Sequence, residues 1–251
     1  MPSARSARIA GHAGIVPEPT EKYDYLQRME PAMTTLRELD TAIRTRHLLK
    51  HPFYTAWSRG ELSLDTLRQY AGQYYHFESN FPRYVGGAYA RLRRAEDRRI
   101  LLENLQDEEG SSPTHPELWI DFARGIGARW SARRPPAPTP ATRNLCSTYE
   151  ALTIGAGEAA PALGALYAYE AQFAEVAAEK SRGLRAFYGV RSRSAHEFFR
   201  VHTVADVTHS AAERAVLARE LRASPAAGPA TGRAVNRTLG AWWNFLDSFA
   251  G

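Results

Sequence analysis

Apolar residues recur at helical spacing along most of this chain. In TLRELDTAIRTRHLL, Leu36, Leu39, Ile43 and Leu48 fall on one face, and the following HPFYTAWSRGEL opens with a proline suited to a first helical turn. LSLDTLRQYAGQYYHFESNFPRYVGGAYARLRR predicts a long aromatic-rich helix, bent or broken near Pro82 and Gly86. RRILLENLQDEEG ends in a glycine, and SSPTHPELWIDFARGIG opens the next helix after a turn. The Pro-rich ARRPPAPTPAT predicts a surface loop. Three further helices follow, over about 141–189, 193–223 and 233–249, the first open to interruption at the glycines of IGAGEAAPALG. With no alternating strand pattern and no internal repeat, the expected architecture is an all-α bundle. Residues 1–32 lack apolar period and are expected to form a flexible extension ahead of a single domain, 33–251.

Composition narrows the function classes. At 251 residues and 44% hydrophobic content, the chain can bury one large core. No apolar run approaches a membrane span, and the N-terminal MPSARSARIAGHAG lacks the apolar stretch of a secretory signal, so a cytoplasmic location and no membrane partner are expected. The net charge of +5 is spread through the helices rather than gathered into a stripe, which argues against nucleic acid. One cysteine, Cys146, excludes a disulfide framework and a thiolate-rich site, so any metal must be held by nitrogen and oxygen. Of 32 basic residues only Lys22, Lys50 and Lys180 are lysines. An arginine-saturated chain is explained most simply by the codon composition of a GC-rich genome; beside that reading, each remaining lysine is a candidate for a role that needs a group able to lose its proton.

The candidate chemistry lies in FFRVHTVADVTHS. His202, Asp206 and His209 stand at i, i+4 and i+7, on one helix face. Glu108 and His115 are separated by helix-breaking Gly110 and Pro113, which places one at a helix end and the other near the next helix start. Glu170 sits among Ala, Leu, Tyr and Phe, an odd setting for a carboxylate without compensation. Three carboxylates and three imidazoles on facing helices suit two iron or manganese ions. Spacing alone does not choose between Glu108 and Glu109, and Glu175 and Glu179 compete for the same role. Stripes of this kind also arise on ordinary amphipathic helices.

Long ordered stretches from about residue 34 onward resemble the haem-oxygenase-like di-metal oxidases, and within them the group typified by the chlamydial protein associating with death domains. They include HPFYTAWSRGELSLDTLRQYAGQYYHFESNFPRY, NLQDEEGSSPTHPELWIDFARGIG, LYAYEAQFAEVAAEKSRGLRAFYGV and FFRVHTVADVTHS. The resemblance implies a seven-helix bundle without haem, carrying two iron ions or an iron–manganese pair on Glu108, His115, Glu170, His202, Asp206 and His209. Such a centre activates dioxygen with electrons from an external reductant. It further implies self-sacrificing synthesis of p-aminobenzoate, with Tyr54 of HPFY as carbon source, Lys180 of AAEKSRG as amine donor, and Tyr169 beside the metal as an electron or radical carrier.

Other readings stand beside this one. Tyr54 also suits a core aromatic, and Lys180 a last-turn lysine favouring the helix dipole. The same centre could oxidise an external amino-acid-derived substrate over many turnovers. Pyrroloquinoline-quinone synthase shares the HPFY and QYY region but works without metal, and a pure interaction module would have no need of six buried ligands. Thiaminase-II-like proteins use a cysteine nucleophile, and TRNLCSTYE around Cys146 does not match theirs. Where the chlamydial protein has a tyrosine four residues before the first histidine of the stripe, this chain has Phe198. The homodimers of the relatives imply a possible homodimeric contact near Trp242 and Trp243, with core packing of that helix as the alternative.

Overall fold

A computed structural model describes residues 35–249. The expected extension, 1–32, lies outside the described residues. Among the described residues ten α-helices carry the fold: α1 (Leu36–Thr45), α2 (Pro52–Arg59), α3 (Leu64–Glu78), α4 (Phe81–Arg91), α5 (Ala95–Glu109), α6 (His115–Gly125), α7 (Pro140–Thr153), α8 (Ala159–Phe187), α9 (Arg193–Ala223) and α10 (Gly228–Asp247). Among the described residues the only extended pairing is one isolated bridge, Ser131 to Arg134. No helix among them is long and apolar enough to cross a membrane.

The helix starts follow local chemistry. Thr35 and Glu38 form a reciprocal capping box on α1, Ser63 caps α3, and Thr139 caps α7 through its hydroxyl. Prolines occupy the first turns of α2, α4, α6 and α7, where their missing N–H costs nothing. Those same prolines explain why the chain divides into more helices than the seven implied by the resemblance. The aromatic-rich segment breaks at Ser79 and Asn80, just ahead of Pro82, which has no N–H to give to the Glu78 carbonyl and instead sits in the first turn of a new helix. Gly86 stays inside α4 without breaking it. The expected 141–189 helix is two helices, divided at 154–158 by the glycines of IGAGE, and the last helix begins at Gly228 rather than near 233.

Long helices α8 and α9 pack along each other and organise the core. Ser181 bonds His196 at 2.8 Å, and Phe173 meets His202 edge-on at 5.3 Å, so residue numbers fall on one as they rise on the other and the pair is antiparallel. Helices α3, α5, α6 and α10 close over them. A ladder of rings fills the space between: Tyr70, Tyr74, Trp119, Phe173, Tyr169 and Trp242. Trp242 is fully buried and stacks on Tyr169 at 5.0 Å, while Trp243 donates to the Arg46 carbonyl at 2.9 Å. Both therefore serve packing within the chain.

Candidate metal centre

Helix α9 turns His202, Asp206 and His209 inward, and all three are buried. His202 Nδ1 donates to the Phe198 carbonyl at 2.8 Å, which leaves Nε2 as a free lone pair. Burial, reinforced by His115, holds His202 well below the usual histidine range, so it is a neutral imidazole. His209 Nε2 pairs with the Asp107 carboxylate at 2.9 Å, and its Nδ1 is left inside without a partner. A carboxylate holding one ring nitrogen while the other faces inward is the usual support of a metal-binding histidine.

Glu108 and His115 come from consecutive elements. On α5, Leu101, Asn104 and Glu108 share the inner face, whereas Glu109 is exposed, so of the two adjacent glutamates it is Glu108 that turns inward. Glu175 is also exposed, and Glu179 is tied to Arg182 on the surface. His115 begins α6, where the Glu117 carboxylate accepts from the N–H and hydroxyl of Thr114 and fixes the first turn. Glu108 Oε2 and His115 Nδ1 stand 2.9 Å apart, yet neither makes a hydrogen bond of proper geometry. They converge on a common point. Burial lowers His115, but the Glu108 carboxylate outweighs it and the net shift is upward.

Glu78, at the end of α3, was not among the residues singled out in the sequence. Its carboxylate joins Glu108, His115 and His202 in a group whose ligand atoms all lie within 4.8 Å of one another. Glu170, Asp206 and His209 line the same interior without closing to that distance as a group. Desolvation, with Glu108 beside it, pushes Glu78 up to about 8. Glu170 is likewise pushed to about 8 by desolvation, against the hydrogen bond from Asn104, and desolvation with Glu170 raises Asp206 well above the carboxylate range. So many buried carboxylates cannot ionise together without cations. Glu108 Oε2, His115 Nδ1, Glu170 Oε2, Asp206 Oδ2 and His209 Nδ1 are all buried without a hydrogen-bond partner. Buried polar atoms are normally satisfied, and this concentration of orphaned oxygen and nitrogen donors fits hard-to-intermediate cations such as iron or manganese.

The aromatic ladder leads away from this cluster to Tyr54 and Lys180. Tyr74 and Tyr169 hydroxyls are hydrogen-bonded, and Tyr169 precedes Glu170 on α8. Tyr74 packs on Tyr70 at 5.6 Å, and Tyr70 bonds Tyr54 through their hydroxyls at 2.8 Å. Desolvation raises all four phenols, which stay protonated. Lys180 is 0% exposed and lies two turns inside α8, so it is not a last-turn lysine at the surface. Gly183 admits Trp57 to the helix: a Cβ there would lie 2.7 Å from the indole, whose Nε1 donates to the Lys180 carbonyl at 3.2 Å. Lys180 Nζ has no hydrogen-bond partner and faces the rings of Tyr74, Phe173, Tyr70, Tyr54 and Trp119 at 4.7, 4.9, 5.2, 5.3 and 5.4 Å. Ring faces would attract an ammonium ion, but desolvation, only partly opposed by Glu78, drives the amine well below the usual lysine range. With no acceptor for its protons, the neutral amine is the form this cage holds. Burial pushes the Cys146 thiol the other way, up to about 11, so it offers no ready nucleophile.

The chain belongs to the iron-containing redox enzymes, whose family model matches residues 68–243. It is an oxidoreductase of that group. It is similar to the 4-aminobenzoate synthase of Chlamydia muridarum, 36% identical over 220 residues that cover 88% of this chain and 92% of the relative. The 4-aminobenzoate synthase of Nitrosomonas europaea is 36% identical over 223 residues, covering 85% and 90%. Among solved structures, a domain with a haem-oxygenase-like fold from Shewanella denitrificans superposes with a TM-score of 0.65 at 16% identity, over 85% of this chain and 89% of that one. The fold is therefore the haem-oxygenase-like all-α bundle.

Proposed function

We propose that the chain is a dimetal-dependent p-aminobenzoate synthase that takes the product's carbon from its own Tyr54 and its nitrogen from its own Lys180. The observation that carries this reading is the unpaired, buried Lys180 amine 5.3 Å from the centre of the Tyr54 ring. A tyrosine ring together with its Cβ supplies the carbon skeleton of p-aminobenzoate, so the Cα–Cβ bond of Tyr54 must break, Cβ must be oxidised by dioxygen to a carboxylate, the phenolic oxygen must give way to nitrogen, and the Cε–Nζ bond of Lys180 must break to release that nitrogen with the product. The reading draws support from the synthase relatives that match most of the chain.

Two iron ions, or iron and manganese, would be held by Glu108, His115, Glu170, His202, Asp206 and His209, with Glu78 as a further carboxylate. When bound, they supply oxidation by dioxygen, with electrons from an external reductant. The protein's own residues do the rest. His202 and His209 are held in one tautomer by the Phe198 carbonyl and Asp107. Tyr169 and Tyr74 link the metal side of the core to Tyr70, whose hydroxyl fixes that of Tyr54. The rings around Lys180 exclude water and keep its lone pair unprotonated, the form that can attack carbon.

A second reading, turnover of an external small molecule, is favoured by a surface cavity of about 480 Å³ that reaches His115 between Asp107, Leu118 and Arg200. Peptide mass spectrometry separates the two. The metal-free protein is loaded with ferrous iron, with and without manganese, and exposed to oxygen and reductant. Loss of the Tyr54 side chain with release of p-aminobenzoate is the expected result. An intact Tyr54 after oxygen consumption would overturn self-sacrifice and favour the external substrate.

A further inference from the structure

Two buried side chains beside the cluster have no part in the reading above. Glu213 lies on α9 one turn beyond His209, so it extends the stripe of His202, Asp206 and His209 along the same face. Helical side chains lean toward the helix N-terminus, which carries this carboxylate back toward the cluster. Asn104 lies on α5 one turn before Glu108. Its Nδ2 donates to Glu170 Oε1 at 3.0 Å and to Glu213 Oε1 at 3.5 Å. One amide thus serves two carboxylates, while Glu170 Oε2 and Glu213 Oε2 remain unpartnered in the interior.

We propose that Asn104 and Glu213 are positioning residues that fix the carboxylate of Glu170 for metal binding. The inference rests on the dimetal reading. A glutamate side chain has several rotatable bonds, and a ligand free to swing binds metal weakly. The bond from Asn104 to Oε1 stops that motion and leaves Oε2 available. Glu213 acts one step further out. An asparagine amide can present either its NH2 or its oxygen, and the oxygen would be repelled by Glu170 in the ionised form that binds a metal. A second carboxylate on the same side makes the flipped amide worse still, so Glu213 selects the orientation of Asn104, and Asn104 that of Glu170. Glu213 therefore needs to be an acceptor, not a ligand.

The test is a Mn(II) binding isotherm on the metal-free full-length protein, reading free Mn(II) by electron paramagnetic resonance. The wild type is expected to bind two ions. Asn104→Leu and Glu213→Leu should each weaken one of the two sites about 10- to 100-fold and spare the other, the range seen when a ligand loses its supporting bond. Glu213→Gln keeps an acceptor oxygen and should stay within about threefold of wild type. The double Leu variant should be no weaker than Asn104→Leu alone, because Glu213 acts through Asn104. Helical circular dichroism verifies folding, and Asn104→Ser replaces Asn104→Leu if the latter does not fold. Unchanged affinity in folded Leu or Ser variants would overturn the proposal. So would a Gln variant as weak as Leu, which would make Glu213 a ligand through its charge. A wild type that binds no divalent ion would instead overturn the dimetal reading on which the proposal stands.

Discussion

The amine of Lys180 lies 5.3 Å from the centre of the Tyr54 ring, and both groups are sealed from solvent. On the proposed reading, the neutral amine and the protonated phenol are the pair between which a bond forms once one partner is oxidised. Replacing the lysine tests the nitrogen and the sealing together. Lys180→Met removes an unpaired buried amine while keeping its shape, so stability against urea should rise by about 1–2 kcal/mol while p-aminobenzoate disappears. Lys180→Arg should destabilise by about 3–5 kcal/mol, because a guanidinium cannot shed its proton in the cage. Feeding isotopically labelled lysine during expression should label the product's nitrogen.

Glu78 converges with Glu108, His115 and His202. Glu78→Gln should weaken divalent-metal binding by at least about tenfold, measured by calorimetry on the metal-free protein. Without metal the same variant should melt higher at pH 8, since one of several mutually repelling carboxylates has gone.

The metal-free protein should lose stability as pH rises. Glu78 and Glu170 titrate at about 8 in the fold against 4.5 for an ordinary glutamate, so between those values the native state holds more protons than the unfolded chain. Their contribution is fully present below about pH 4.5 and is lost as pH passes through about 8. Melting temperature should fall across this window, and the increment from added Mn(II) should grow across it, because metal binding displaces those protons. A metal-free melting temperature that rises through the window would count against the cluster.

Tyr70 supplies the hydrogen-bond partner of the Tyr54 hydroxyl. Tyr70→Phe should cost about 1 kcal/mol in urea unfolding and lower the yield of p-aminobenzoate, with metal stoichiometry unchanged.

Much of this was legible in the chain. The bounds of α9 match the expected 193–223, and its i, i+4, i+7 stripe faces inward. What spacing could not decide was which of two adjacent glutamates turns inward at the end of α5, because a one-residue choice there depends on where the helix docks. Glu78 escaped notice because it ends an aromatic run, yet Tyr70, Tyr74 and Glu78 stand four apart on one face of α3, a signal that was present. Glu213 extended a visible stripe but had no sequence partner to mark it, since Asn104 meets it only through the packing of α5 on α9. Prolines near helix starts are visible in the chain too, and they divide the described residues into more than the seven helices that the resemblance implies.

The Tyr54 ring that makes contact with Lys180 also packs against Phe53, Trp57 and Tyr70, at the heart of the hydrophobic core. Excising such a side chain leaves a void where a large aromatic stood, a loss of about 3–5 kcal/mol for a buried ring. A chain that had given up this tyrosine would be a weakened fold as well as an exhausted reagent. Its lifetime against proteolysis would then shorten after its one reaction, and the amount of product a cell could make would be set by how fast it replaces the protein.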